Sequence, residues 1–252
     1  MRVVVVTGGA SGLGEAIANR FASDGDRVVV ADVDELRARQ VADNLTAAGL
    51  NAESETVDVT SEGEVAAMFD SIAERHGRLD ALVCSAAIET RSSVVDCTDE
   101  DWQQVLDVNL KGPFLCCKHG LPAIANTGGG AVVLLGSVLG AIASPGYAAY
   151  CASKGALANL AKQAAIEHAA EHVRVNVVSP SATDTGLFAR VAARSDDPGR
   201  MLQMVSANTP MQRLGTGGEV AATVAFLCSS GAAFISGAII PVDGAMAARR
   251  TV

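Results

Sequence analysis

The sequence predicts an α/β fold: a single doubly wound, parallel β-sheet flanked by helices on both faces. Three observations carry this. Short Val-rich runs recur between amphipathic, Ala-rich stretches, and strands that alternate with helices build parallel sheets. The runs are apolar throughout rather than alternating, as strands covered on both faces are. A glycine-punctuated turn, Thr7-Gly8-Gly9-Ala10-Ser11-Gly12-Leu13-Gly14, joins the first run to the first helical stretch.

The first strand is expected over residues 3–6, and the glycine turn follows at once. Residues 15–23 then place Ile17 and Phe21 at helical spacing. In that context Gly8 permits the tight turn, Gly12 lets backbone amides approach a phosphate, and Gly14 lets the helix lie close to the sheet. The helix start, around Ser11 and Leu13, offers unpaired N–H groups and the positive end of the dipole to an anion. A second strand over 27–31 ends at Asp32, followed by Val33, Asp34 and Glu35. A carboxylate there accepts hydrogen bonds from an adenosine ribose and repels a 2′-phosphate. No Arg or Lys follows directly, so NAD is preferred over NADP; the alternative is that Asp32 only caps the next helix.

The alternation continues with a helix over 36–48 and a strand over 51–57 that closes on Asp58-Val59. A helix capped by Thr60 or Ser61 reaches His76. A strand over 79–84 leads to a long helix over 99–125, broken near Gly112-Pro113. A strand over 131–135, a helix over 148–170 and a strand over 173–178 follow. After Pro180 the pattern loosens. Short helices over 187–193 and 200–207 flank the polar break Ser195-Asp196-Asp197-Pro198-Gly199, and residues 186–213 read as a lid over a cleft. A helix over 218–229 and a strand over 238–242 complete the chain. No linker or low-complexity stretch interrupts it, so residues 1–252 are expected to form one domain.

The totals narrow the function classes. Nearly half the residues are hydrophobic, and a chain of 252 residues buries enough surface to need no staples. The formal net charge of −9, without a basic block, disfavours nucleic acid as a partner. Six cysteines without a Cys-x-x-Cys pair read as buried reduced thiols and a cytoplasmic setting. His168 and His172 have ligand spacing but no evident third ligand, so no metal is expected. No apolar run is long enough to span a membrane.

The chemistry concentrates between Ser137 and Lys154. Tyr150 and Lys154 are four residues apart, on one face of a helix. A phenol titrates near pH ~10, and a cation one turn away favours the phenolate; bringing it to ~7 needs about 4 kcal/mol. Ser137, at a strand end, can hold a substrate oxygen beside that phenol. Together they suit proton exchange with a carbinol or carbonyl oxygen. The competing reading is a half-buried ring beside a solvated cation.

These motifs, in this order, resemble the short-chain dehydrogenase/reductase family over nearly the whole chain. Thr7-Gly8-x-x-x-Gly12-x-Gly14 is similar to the family's cofactor turn in a Rossmann-type sheet. Asp32 matches its NAD-selecting acid, Asp58 the acid facing the adenine, and Asn109 in Val108-Asn109-Leu110-Lys111-Gly112 the Asn whose region holds a relay water. Ser137, Tyr150 and Lys154 match the catalytic set, and Pro180 and Thr185 the segment that meets the nicotinamide. The resemblance implies an NAD(H)-dependent oxidoreductase interconverting a secondary alcohol and a ketone. Tyr150 would exchange the proton, Ser137 would polarise the substrate oxygen, and Lys154 would lower the Tyr150 pKa and bind the ribose. Cofactor contacts are then expected at Gly8, Ser11, Gly12, Leu13, Gly14, Asp32, Val33, Asp58, Val59, Ser85, Ala86, Ala87, Tyr150, Lys154, Pro180, Thr183 and Thr185. The family also implies a homotetramer (or homodimer).

Two departures stand out: Cys84-Ser85-Ala86-Ala87 replaces the family's Asn-Asn-Ala-Gly, and Ser181 replaces the Gly after Pro180. Tyr147 also precedes Lys154, with the spacing of enoyl-thioester reductases of the same superfamily, and is the alternative acid. A non-catalytic sensor of NAD(H) is a further alternative. Val138, Leu139, Ser144, Tyr147, Leu187 and Phe188 are expected to line a mostly apolar substrate pocket. With no evident carboxylate-binding Arg in it, a neutral or weakly polar alcohol or ketone is the expected small-molecule substrate, unless Arg190, Arg194 or Arg213 swings inward.

Overall fold

A computed structural model describes residues 1–185 and 197–248. In chain order the elements are β1 (Val3–Thr7), α1 (Gly12–Ser23), β2 (Arg27–Asp32), α2 (Glu35–Ala47), β3 (Ala52–Thr56), α3 (Glu62–His76), β4 (Ala81–Cys84), α4 (Asp99–Leu106), α5 (Gly112–Ala125), β5 (Gly130–Leu135), α6 (Ala148–Glu167), β6 (Val173–Pro180), β7 (Thr183–Asp184), α7 (Pro198–Asn208), β8 (Gly215–Thr216), α8 (Gly217–Leu227) and β9 (Ile239–Val242). The seven long strands form one parallel sheet in the order β3-β2-β1-β4-β5-β6-β9.

The four valines of β1 show why this sheet is wound on both faces. Successive side chains of a strand point to opposite sides. Val3 and Val5 join a core with Met68, Phe69 and Ile72 of α3 and Leu157 of α6. Val4 and Val6 join a second core with Ile17 and Phe21 of α1 and Val220 and Val224 of α8. Every β1 residue is buried. The edge strand β3 reads Ala-Glu-Ser-Glu-Thr and is only half-buried. Its register opposite Val28–Asp32 holds it in place.

The long helix over 99–125 is interrupted near Gly112-Pro113, as expected. A π-turn, Asp107–Lys111, sits between α4 and α5, and Pro113 lies in the first turn of α5, where a missing N–H costs nothing. Two differences are small. The short pair β7–β8 was not anticipated. Helix α6 ends at Glu167, and a 3-10 turn, Ala169–Glu171, continues the chain. The expected helix over 187–193 lies outside the described residues. Helix α7 covers the expected 200–207, with Asp197 accepting the Arg200 N–H at its start.

The winding reverses between β1 and β4. In such sheets the crevice beyond the carboxyl ends of the strands, at this reversal, is where a ligand fits.

Candidate active site

A cavity of about 700 Å³ opens at that crevice. It is lined from the ends of successive strands: Gly8, Ser11, Gly12, Leu13 and Gly14 after β1; Asp32 and Val33 at β2; Asp58 and Val59 after β3; Ser85, Ala86 and Ala87 after β4; Ser137 and Val138 after β5; and Pro180, Ser181, Thr183 and Thr185 at and after β6. Leu139, Ser144, Tyr147, Tyr150 and Lys154 complete the part anticipated from sequence. Leu187 and Phe188, with Arg190 and Arg194, lie outside the described residues. Arg213 does not enter the cavity wall; its guanidinium holds Glu219 at 2.5 and 2.9 Å.

The glycine turn is held at a separation that no side chain would allow. Gly8 has φ of +66°, and a Cβ on it would stand 2.6 Å from the Ala86 backbone. A Cβ on Gly14 would stand 2.0 Å from the Gly8 carbonyl oxygen. The helix start is thus pressed against the turn, and Ser11, its N-cap, makes no side-chain bond to the helix amides. By contrast Asp34, Thr98 and Thr216 each cap their helices with a side-chain oxygen. An uncapped helix N-terminus facing a cavity fits a phosphate. At the other end of this floor Asp32 accepts N–H groups from Ala10 at 3.0 Å and Asp34 at 3.1 Å, which orients its carboxylate on the turn. Asp58 accepts from the Thr60 N–H and hydroxyl, at 2.9 and 2.8 Å, and so is fixed at the cavity edge. These residues fit an adenine dinucleotide.

Ser137, Tyr150 and Lys154 converge on the far side. Gly140 makes this possible: a Cβ there would stand 2.7 Å from the Lys154 carbonyl, so only glycine lets the loop after β5 lie on α6. Ser137 accepts the Leu139 N–H at 3.2 Å, and its hydroxyl favours the charged form of Tyr150. The Lys154 ammonium donates to the Leu135 carbonyl at 2.7 Å and stands 5.6 Å from the centre of the Tyr150 ring.

The protein's own groups do not by themselves bring the phenol to neutrality. Tyr150 and Lys154 are both buried. Burial pushes the Tyr150 phenol well above its ordinary value, the Glu89 charge adds to the rise, and the Ser137 hydroxyl opposes it. Burial brings Lys154 down to about 8. From the protein's own groups, then, Lys154 does not pull the phenol toward neutrality, because desolvation outweighs a cation whose own charge is disfavoured. In the protein alone Tyr150 is held in its protonated form at neutral pH.

Asn109 is fully buried and does not line the cavity. Its amide accepts the Ile88 N–H at 2.8 Å, donates to the Ile88 carbonyl at 2.9 Å and donates to the Ser153 hydroxyl at 3.3 Å. Ser153 in turn donates to the Tyr150 carbonyl at 2.8 Å. Asn109 therefore ties the segment after β4 to the helix that carries Tyr150.

Sequence reasoning missed Glu89 and Arg91, both on the cavity wall. Arg91 stacks over the Tyr147 ring, 4.8 Å from its centre, and donates to the Tyr147 hydroxyl. Its Nε lies 3.6 Å from Glu89. An arginine that the sequence reading did not place there thus stands on the cavity wall. The segment lies directly beyond the carboxyl end of a switch-point strand, and that position was the available signal. Tyr147, with its hydroxyl engaged by Arg91 and its ring centre 6.3 Å from that of Tyr150, forms pocket wall.

Cys84 is buried with Cys116 and Cys117 in the core; hydrogen bonds with Cys116 and Cys117, then burial, push its thiol up. Among the described residues no helix is long and apolar enough to cross a membrane.

Comparisons with known proteins agree with this geometry. A family model described as "Enoyl-(Acyl carrier protein) reductase" matches residues 8–247. The cis-4-hydroxycyclohexanecarboxylate dehydrogenase of Sinomonas cyclohexanicum is 41% identical over 96% of this chain and 95% of its own length. The structure of levodione reductase superposes with a TM-score of 0.95 at 30% identity, covering 99% of this chain and 98% of that one. The 3-ketoacyl-(acyl-carrier-protein) reductase from Brucella melitensis, solved with NADH, superposes with a TM-score of 0.88 at 29% identity, covering 98% of each chain. The names of the Sinomonas and Brucella proteins refer to a hydroxy compound and a keto compound. The chain belongs to the short-chain dehydrogenase/reductase family, and is an oxidoreductase that interconverts CH–OH and carbonyl groups by hydride transfer with a nicotinamide cofactor.

Proposed function

We propose that the cavity binds NAD(H) along the glycine turn and oxidises a secondary alcohol, or reduces the matching ketone, at Tyr150. The observation that carries this is the meeting of Ser137, Tyr150 and Lys154 in the same cavity as the uncapped start of α1. A bound nicotinamide supplies the hydride acceptor or donor. The chain's own residues supply position and protons. Ser137 holds the substrate oxygen against the Tyr150 hydroxyl, which gives up its proton to a carbonyl oxygen or takes one from a carbinol. Lys154, anchored on Leu135, is placed to hold the ribose and to stabilise charge on the phenol. The apolar wall formed by Val138, Leu139 and Ile142 keeps water from the reacting carbon. Helix α7 closes the outer side through Val205 and Asn208.

The carboxylate of Asp32, fixed by two backbone amides, favours a free ribose over a 2′-phosphate, so NAD is preferred over NADP. Secondary alcohols should reduce NAD, read by NADH absorbance, and ketones but not enoyl thioesters should oxidise NADH. In Asp32→Ala the NAD preference is expected to fall at least about tenfold, the value of one charge-assisted hydrogen bond. Unchanged NADP binding in that variant would overturn this account of selectivity.

The working assembly in this reading is a homotetramer in the cytoplasm. Exposed apolar side chains support it: Trp102 of α4, Phe114 of α5, Phe226 of α8 and Ile239 of the edge strand β9. A single-chain molar mass in solution would remove it.

A further inference from the structure

The charge pair on the cavity wall is built rather than incidental. The Asn109 amide fixes Ile88 through both its N–H and its carbonyl. Four residues on, the Ser92 N–H donates to the Gly146 carbonyl at 3.0 Å and the Ser92 carbonyl accepts from Ala148 at 3.5 Å, a strand-like bridge to the start of α6. Between these anchors residues 89 and 91, two apart, both line the cavity, while Thr90 between them does not. Its hydroxyl is buried without a hydrogen-bond partner. Two charged side chains therefore face a cavity whose substrate end is otherwise largely apolar.

Of the two, the cation is the accessible one. The Glu89 side chain is 12% exposed and that of Arg91 is 50% exposed. Glu89 stands beside Nε, and the Tyr147 ring and hydroxyl hold the plane of the guanidinium. A guanidinium held in this way loses little side-chain entropy on binding, and with Nε beside Glu89 and Nη2 on the Tyr147 hydroxyl its Nη1 can still donate to a carboxylate. It also lies within reach of the chemistry, because the ring it stacks on is the neighbour of Tyr150.

We propose that Arg91 docks a carboxylate carried by the substrate, so that the preferred substrate is a secondary hydroxy acid, or its keto acid, with a short chain or a single carbocycle between carbinol and carboxylate. This deepens the function proposed above and rests on it. Glu89 and Tyr147 are positioning residues that hold the Arg91 fork. Glu89 also sets a penalty for acids too short to reach past Tyr150, since their carboxylate would meet like charge before it met the guanidinium.

The test pairs acids with their neutral amides: 3-hydroxybutyrate with 3-hydroxybutyramide, and a hydroxycyclohexanecarboxylate with its carboxamide. An aminocyclohexanol serves as the cationic arm. In the wild-type protein at least one acid is expected to exceed its amide about tenfold or more in kcat/KM. In Arg91→Gln that ratio should fall to near one, with the loss in the acid's KM; Arg91→Lys should keep part of it. NADH binding by each variant reports on its fold, and where a variant does not bind NADH the wild-type ratio decides. Brisk turnover with amides equal to acids, or with the amino alcohol favoured, overturns the inference and leaves the oxidoreductase reading intact. No turnover of any member of a wide panel of secondary alcohols or ketones removes both.

Discussion

Replacing Tyr150 by Phe is expected to lower kcat for ketone reduction by about 10³-fold or more, while NADH binding stays within a few-fold of the wild type. Positioned acid–base groups contribute about 10²–10⁴-fold, and this side chain supplies the phenol that shares the cavity wall with Ser137. The ring remains in Phe, so packing against Tyr147 and the wall of α6 is kept. The pH dependence follows from the direction of the shift. Tyr150 is raised above its ordinary value, so its protonated form is fully present at neutral pH and ketone reduction should not lose its acid there. Alcohol oxidation needs the deprotonated form and should rise toward alkaline pH. Steady-state kinetics in both directions, with a fluorescence titration of NADH, check this. Retention of more than a tenth of wild-type kcat in the variant would show that the proton comes from elsewhere.

Placing a methyl on Gly14 is expected to cost the protein its cofactor and part of its stability together. The added Cβ would lie 2.0 Å from the Gly8 carbonyl, which belongs to backbone and cannot swing aside as a side chain can. Either α1 moves away from the turn or the turn opens. In both cases the amides of the helix start lose their aim. Overpacking of this kind costs about 1–3 kcal/mol, and in a chain of this size about 1 kcal/mol corresponds to a Tm shift of roughly 2–4 °C. Gly14→Ala should therefore melt several degrees lower and bind NADH at least about tenfold more weakly. A variant that melts lower yet binds NADH as tightly as the wild type would show that the turn is structural and does not hold the phosphates.

Much of this was legible in the chain itself. The Val runs became the central strands because apolar β-branched residues suit a surface covered on both sides. The glycines marked the place where backbone must approach backbone. Three features were hidden for identifiable reasons. Gly112-Pro113 marked the break in the long helix but not its form, because the π-turn at Asp107–Lys111 adds a residue without disturbing the hydrophobic pattern. Glu89 and Arg91 lie in a segment with no period to read, and only the Asn109 and Ser92 anchors show that both face inward. The ionisation of Tyr150 in the protein alone was hidden because spacing reveals the cation at Lys154 but not the burial that both groups share. Desolvation raises the phenol and lowers the amine, and it depends on how α6 packs against the end of β5.

The chain contains only two tyrosines, so a Tyr147→Phe variant leaves Tyr150 as the sole phenol, and its ionisation can be followed directly in the near-ultraviolet phenolate band. In the protein alone that band should be absent until well above pH 10. With NAD bound, the added positive charge should move its appearance to lower pH, and the pH at which it appears should match the rise in the rate of alcohol oxidation. A Tyr150 phenolate that ignores NAD, or a rate that climbs at a pH where the phenol stays protonated, would contradict Tyr150 as the group that exchanges the proton.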